Sequence, residues 1–268
     1  MLPEQRRRDI LALVKQHGAI TVLELREQLN VTAATIRKDL ADLEREGLLV
    51  RTHGGAISPG YGRGHDLPVR VRQTMLSSEK QMLGRTAARL VQPGDTVMLD
   101  NSSTISFLAL HLEQVRDVTV VTNSWAAVEQ LARYNVRVIS SGGVLDRESM
   151  SFLGGETEET LARYHVDKAF LSTKGISMEY GLTDARLEQA RIHRVMVKAA
   201  ERIILVADHS KFDTICFAEV APLARVSVVV TDNELPQPYR DFFADNHVQM
   251  LVGNENTISG ERGYEDVM

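Results

Sequence analysis

Two groups of residues in this chain have types and spacings suited to chemistry. The first lies in TAATIRKDL, residues 32–40, with hydroxyls at Thr32 and Thr35, small Ala33 and Ala34, and the cations Arg37 and Lys38. Small side chains let another surface approach a helix closely. Hydroxyls bond phosphates or base edges, and a guanidinium grips guanine or phosphate through two parallel hydrogen bonds. Arg51 and His53 follow, just ahead of Gly54-Gly55. The second group recurs along the chain. Apolar runs end in DNSST (100–104), TN (122–123), GG (142–143), STKG (172–175) and DHSK (208–211). Carboxylates and amides there suit hydroxyl groups, while ammonium and backbone amide groups suit phosphate, so the set fits a phosphorylated polyol.

The elements that must position the first group are three helices. Pro3 suits the first turn of a helix, because its missing N–H costs nothing there, and Gly18 ends that helix. Thr21-Val-Leu-Glu24 is a capping-box pattern that opens a second helix. Asn30-Val31 makes a short turn, and a third helix runs from the cap Thr32 to Gly47. At 100° per residue, Ile36, Leu40 and Leu43 share one face of the third helix, and Arg37, Lys38 and Arg45 lie away from it. A short helix, a tight turn and such a helix make a helix-turn-helix, and LLVRTHGGAI reads as a two-stranded wing. A charged face can equally be a solvated surface of a three-helix interaction domain.

A glycine-rich stretch within 58–75 separates this region from a larger one. From residue 77 the pattern alternates. Buried strands are read at 96–100, 118–122, 136–140, 168–172, 202–208, 226–232 and 248–252, with helices at 79–91, 103–113, 124–134, 156–163 and 188–201. Such alternation predicts an α/β domain with a mainly parallel sheet over 76–252, followed by a tail at 253–268. Ligands of such sheets bind at the carboxyl ends of the strands, where the polar clusters fall.

Composition bounds the class. A chain of 268 residues with net charge −5 holds nine Lys/Arg and eight Asp/Glu within residues 1–57, so position and not bulk charge must carry any nucleic-acid reading. One cysteine, Cys216, excludes an internal disulfide framework and is expected in the core. No apolar run of about 18 residues occurs, and the first helix is amphipathic rather than a signal peptide, so a cytoplasmic protein is expected. The eight histidines are scattered, and no Walker loop or GxGxxG is present. No metal, cofactor or catalytic residue is therefore expected.

The pattern Arg6-x3-Ile10-x3-Val14-x17-Thr32-x2-Thr35-Ile36-Arg37-Lys38-Asp39-Leu40 resembles the winged helix-turn-helix signature of the DeoR family of bacterial sugar-metabolism regulators. The second half is similar to that family's sensor domain, which resembles ribose-5-phosphate isomerase in fold. The family's Asp-x-Gly-Ser/Thr-Thr appears as Asp100-Asn101-Ser102-Ser103-Thr104, with Ser102 in place of glycine.

The resemblance implies a repressor of a carbohydrate catabolic operon. It would bind double-stranded operator DNA as a dimer or tetramer and be released by a phosphorylated sugar or sugar alcohol. DNA contacts are then expected at Arg6, Thr32, Ala33, Ala34, Thr35, Arg37, Lys38, Arg51 and His53. Asp39 is read as structural, pairing with an arginine of the first helix. Effector contacts are expected at Asp100, Ser102, Ser103 and Thr104, at Thr122 and Asn123, at Gly142 and Gly143, at Lys174 and Gly175, at Glu188, and at Asp208 and Lys211. Lys174 reads equally as a surface lysine. The alternative is a sugar-phosphate isomerase with an accessory N-terminal domain, using Glu188 or Asp100 as its base.

Overall fold

The computed structural model describes residues 2–52, 54–59, 77–233 and 235–253. The expected wing residue His53, most of the expected linker, and the tail after Gly253 lie outside the described residues.

Helix α1 (Pro3–His17) starts on its proline and stops at Gly18, φ 71°. Strand β1 (Ala19–Thr21) leads into α2 (Val22–Leu29) through a reciprocal cap. The Glu24 amide donates to Thr21 Oγ1 at 3.1 Å, and the Thr21 amide donates to Glu24 Oε2 at 2.8 Å. Asn30, left-handed at φ 50°, ends α2, and Thr32 caps α3 (Ala33–Arg45). Strands β2 (Val50–Thr52) and β3 (Gly55–Ile57) follow.

The expected two-stranded wing is one part of a three-stranded antiparallel sheet, in the order β1-β3-β2. A β-carbon on Gly55 would lie 2.1 Å from the Ile20 carbonyl oxygen, so only glycine lets β3 cross β1 this closely. Ile10, Val14, Leu25, Ile36, Leu40 and Leu43 form a core of their own beneath the helices.

The larger unit begins with α4 (Ser77–Ala88), β4 (Thr96–Leu99), α5 (Ser103–Ala109), β5 (Thr119–Thr122), α6 (Trp125–Leu131) and β6 (Arg137–Ser140). A hairpin of β7 (Val144–Asp146) and β8 (Ser151–Leu153) comes next, then α7 (Gly155–Ala162) and β9 (Val166–Leu171). Then come β10 (Gly175–Ser177), β11 (Gly181–Asp184), α8 (Leu187–Ala199), β12 (Ala200–Val206) and β13 (Ala218–Ala221). The chain closes with β14 (Val228–Thr231), α9 (Gln237–Asp245) and β15 (Gln249–Val252).

All seven expected strands join one parallel sheet, in the order β15-β14-β12-β9-β4-β5-β6. Both faces are covered, as period-two alternation requires. Val97, Leu99, Phe170, Ile204 and Val206 pack into one apolar layer, and Met98, Ala169, Leu171, Ile203 and Leu205 into the other.

Four features depart from expectation. The β7–β8 hairpin and the antiparallel sheet β10-β11-β13 were not expected, nor was α9. Cys216, expected in the core, is partly exposed between the exposed Ile215 and Phe217.

Candidate nucleic-acid interface and strand-end site

Helix α3 buries Ile36, Asp39, Leu40 and Leu43 and leaves Thr32, Ala34, Arg37 and Lys38 exposed, with Ala33 and Thr35 half-buried. Thr32 Oγ1 accepts the Thr35 amide at 3.2 Å, and the two hydroxyls lie 2.9 Å apart. Arg37 and Lys38 make no ion pair with the described residues, unlike their neighbours. Arg45 pairs with Asp42, and Arg51 lies 3.7 Å from Glu44 while its amide donates to the same carboxylate at 2.9 Å.

Arg6 takes a different place from the one expected. Its Nε donates to Asp39 Oδ2 at 2.5 Å and its side chain is 11% exposed, so it fastens α1 to α3. Arg6 Nη2 donates to Asp39 Oδ1 at 3.3 Å, and Arg7 adds a third bond to Asp39 at 3.3 Å and another to Asp42. A carboxylate buried in α3 is thus met by two guanidinium groups, and this fixes how the exposed face of α3 is presented.

In the parallel sheet, the chain leaves β4 toward β5 and β6 on one side and returns at β9 on the other. That reversal between adjacent strands creates a crevice at their carboxyl ends. Asp100 spans it. Its amide donates to the Phe170 carbonyl at 3.2 Å, Oδ1 accepts the Ser102 amide at 2.8 Å, and Oδ2 accepts the Ser172 amide at 2.7 Å. Ser102 has φ −71° and caps α5 by accepting the Ile105 amide, so this position needs no glycine. Ser103 and Thr104 are buried in the first turn of α5.

The other strand ends stand in order along the same edge. Thr122, at the end of β5, donates to the Leu99 carbonyl at 2.7 Å, and Asn123 donates to the Phe152 carbonyl at 3.1 Å. Gly142 and Gly143 follow β6 with φ of 62° and 108°. A β-carbon at Gly143 would lie 2.1 Å from Thr157 Oγ1, which itself donates to the Gly142 carbonyl. Lys174, half-buried, and Gly175 follow β9. Asp208 follows β12, with Oδ1 accepting the Ser210 amide at 3.0 Å and Lys211 Nζ 4.0 Å from Oδ2. Two fully buried acceptors, Asn123 Oδ1 and Asp208 Oδ2, have no hydrogen-bond partner among the described residues. Each such atom costs about 1–3 kcal/mol unless a donor reaches it.

Glu188, expected at this site, is exposed on the first turn of α8. The next residue, Gln189, and His193 one turn on face inward. Gln189 donates to Asn101 Oδ1. His193 is completely buried, with Nε2 3.4 Å from Asp100 Oδ2 and Nδ1 3.5 Å from Asp184 Oδ2. Burial pushes its pKa down, but the hydrogen bond and charge of Asp100 and the charge of Asp184 outweigh this and raise it.

From Asn101 a polar chain leads outward. Asn101 Nδ2 donates to Ser151 Oγ at 3.1 Å, Ser151 and Ser149 hydroxyls lie 2.8 Å apart, and Ser149 donates to Asp146 Oδ2 at 2.5 Å. Arg186 donates to the same oxygen at 2.7 Å. Burial opposes ionisation of Asp146, but the bonds from Ser149 and Arg186 and the charge of Arg186 prevail and lower its pKa.

The sequence matches the DeoR C terminal sensor domain over residues 76–233 and the DeoR-like helix-turn-helix domain over residues 6–60. It is 36% identical over 257 residues to the HTH-type transcriptional repressor GlcR of Bacillus subtilis, covering 96% of this chain and 98% of that protein. It is 33% identical to the transcriptional repressor AccR of Agrobacterium fabrum, covering 86% and 90%. The glycerol-3-phosphate regulon repressor of Escherichia coli is 28% identical, covering 93% and 99%.

Among solved structures, ribose 5-phosphate isomerase from Plasmodium falciparum matches at TM-score 0.40 and 15% identity, over 52% of this chain and 54% of that one. A likeness of that degree decides nothing about activity. Among the described residues, no helix is long and apolar enough to cross a membrane. The chain belongs to the DeoR family of helix-turn-helix transcription regulators, and it is a DNA-binding regulator rather than an enzyme.

Proposed function

We propose that this regulator is a cytoplasmic repressor of a carbohydrate operon whose grip on operator DNA is released by a phosphorylated sugar or sugar alcohol. Residues 1–57 would read DNA and residues 76–252 would sense the effector, with 58–75 linking them. One short recognition helix reads few base pairs, so the working form carries at least two copies of the chain.

One observation carries the effector reading. Strand ends with small polar residues stand side by side at the sheet's reversal point, and two of their buried acceptors lack donors. Hydroxyl groups of a polyol would satisfy Asn123 and Asp208, and the ammonium groups of Lys174 and Lys211 suit a phosphate. The name of one relative, a glycerol-3-phosphate regulon repressor, points to the same chemistry. In this reading Asp100, with an amide bonded to each oxygen, shapes the crevice more than it binds the ligand.

Thermal unfolding against a panel of sugar and polyol phosphates tests the proposal. A ligand at 100 times its Kd adds about 2.7 kcal/mol. For a chain of this size that raises the midpoint by roughly 5–10 °C. One phosphorylated member of the panel is expected to do this, its unphosphorylated parent is not, and Lys211→Ala should shrink the shift. No shift from any member would contradict the effector reading.

A further inference from the structure

The buried chain has a polarity that can be followed atom by atom. The ionised Asp146 carboxylate only accepts, so Ser149 gives it its one hydroxyl proton. Ser151 must then donate to Ser149 and accept from Asn101 Nδ2. Asn101 therefore turns its carbonyl toward Gln189, and Gln189 presents its amide nitrogen, a double donor, to Asn101 and His193. His193 Nε2 lies 3.3 Å from that nitrogen and 3.4 Å from Asp100 Oδ2. It can accept from the amide only when it carries no proton, and it can donate to the carboxylate only when it does. Nδ1 lies 3.5 Å from Asp184 Oδ2 and makes no hydrogen bond to the described residues.

We propose that His193 is a proton-operated switch between the strand-end crevice and the β7–β8 hairpin. With a proton on Nε2, the imidazolium binds Asp100, which holds the amides of Ser102 and Ser172. Without it, the neutral ring keeps its proton on Nδ1, accepts a Gln189 hydrogen, and closes the chain that ends at Asp146 and Arg186. The proton is exchanged with water. The charged groups facing the ring are Asp100 from the β4–α5 turn, Asp184 from β11 and Lys174 from the β9–β10 turn. The two carboxylates favour the charged ring and the lysine opposes it. One consequence rests on the effector reading above. An anion bound in the crevice strengthens the ring's hold on its proton, so binding takes up a proton and opens the hairpin chain.

Nitrogen-detected NMR of the histidine rings in the full chain, from about pH 5 to pH 9, tests the switch. His193 Nδ1 is expected to stay protonated, while Nε2 releases its proton in one step above the ordinary histidine range. The amides of Ser102 and Ser172, and those of Ser149 and Ser151, should shift with that same midpoint. Gln189→Met removes the donor to the neutral ring. It should move the midpoint up and abolish the shift at Ser149 and Ser151, but keep it at Ser102 and Ser172.

A ring that does not titrate in this window overturns the switch, as do hairpin amides that ignore its midpoint. The wild-type chain alone decides this should the variant not fold. Adding glycerol 3-phosphate, glucose 6-phosphate or fructose 1-phosphate separates the two claims. A probe that binds and leaves the midpoint unmoved refutes the coupling and leaves the effector reading standing. If no probe binds while the amides still co-titrate, the switch is upheld and the effector reading is lost.

Discussion

Asp39→Ala is expected to unfold the helical DNA-reading unit and abolish binding to every DNA sequence, while the seven-stranded sheet survives. The carboxylate is buried in α3 and receives Arg6 and Arg7 from α1. Removing it strands Arg6, whose side chain is 11% exposed, without a counter-charge. Breaking one side of a buried pair costs about 3–5 kcal/mol. A three-helix unit this small has roughly 3–8 kcal/mol in all. The loss is therefore comparable with the whole stability of the unit. Limited proteolysis of the full chain should show cuts within the first fifty-odd residues of the variant and leave the α/β unit intact. A variant that resists proteolysis and still binds DNA would show that packing of Ile36, Leu40 and Leu43 alone holds α3 in place.

Arg37→Ala should act without unfolding anything. The side chain is exposed and has no ion-pair partner among the described residues, so folding loses little when it is removed. If its guanidinium bonds a guanine edge, binding to the operator weakens by about 1–3 kcal/mol, roughly 5- to 150-fold, and discrimination at one base pair relaxes. Lys38→Ala offers the contrast. A lysine on a phosphate should weaken all sequences alike and reduce the slope of log affinity against log salt by about one unit. Competition binding on operator and scrambled duplexes at several salt concentrations reads both. Equal weakening of operator and scrambled DNA by Arg37→Ala would make Arg37 a phosphate contact.

The helices of the DNA-reading unit and the central sheet were legible in the sequence because each is written locally. The Thr21–Glu24 cap spans four residues, and runs such as VTVVT are apolar enough to be buried on both faces. The small antiparallel pieces were not legible. β7, β8 and β10 have three residues each, too few for alternation to show, and their partners are set by the folded chain. That the strand-end clusters share one edge follows from the parallel sheet, which must bring its carboxyl ends together. What lies behind them was not found. Asn101 bonds Ser151 across 50 positions and Gln189 across 88, and no spacing rule links such residues. The resemblance points to Glu188, yet one residue on a helix is 100° of rotation, and the inward positions are those of Gln189 and His193. The same resemblance counts Arg6 among the DNA contacts. The buried Asp39 claims it instead.

One chain is proposed to read DNA and to release it on binding a sugar phosphate. Capture of sheared genomic DNA by the full-length protein, sequenced with and without a pool of sugar and polyol phosphates, tests it most directly. The expected result is enrichment of a few promoters carrying repeated half-sites beside carbohydrate genes, lost when one phosphorylated component is present. Enrichment that no component alters would contradict the effector reading. No enrichment under any condition would contradict sequence-specific binding itself.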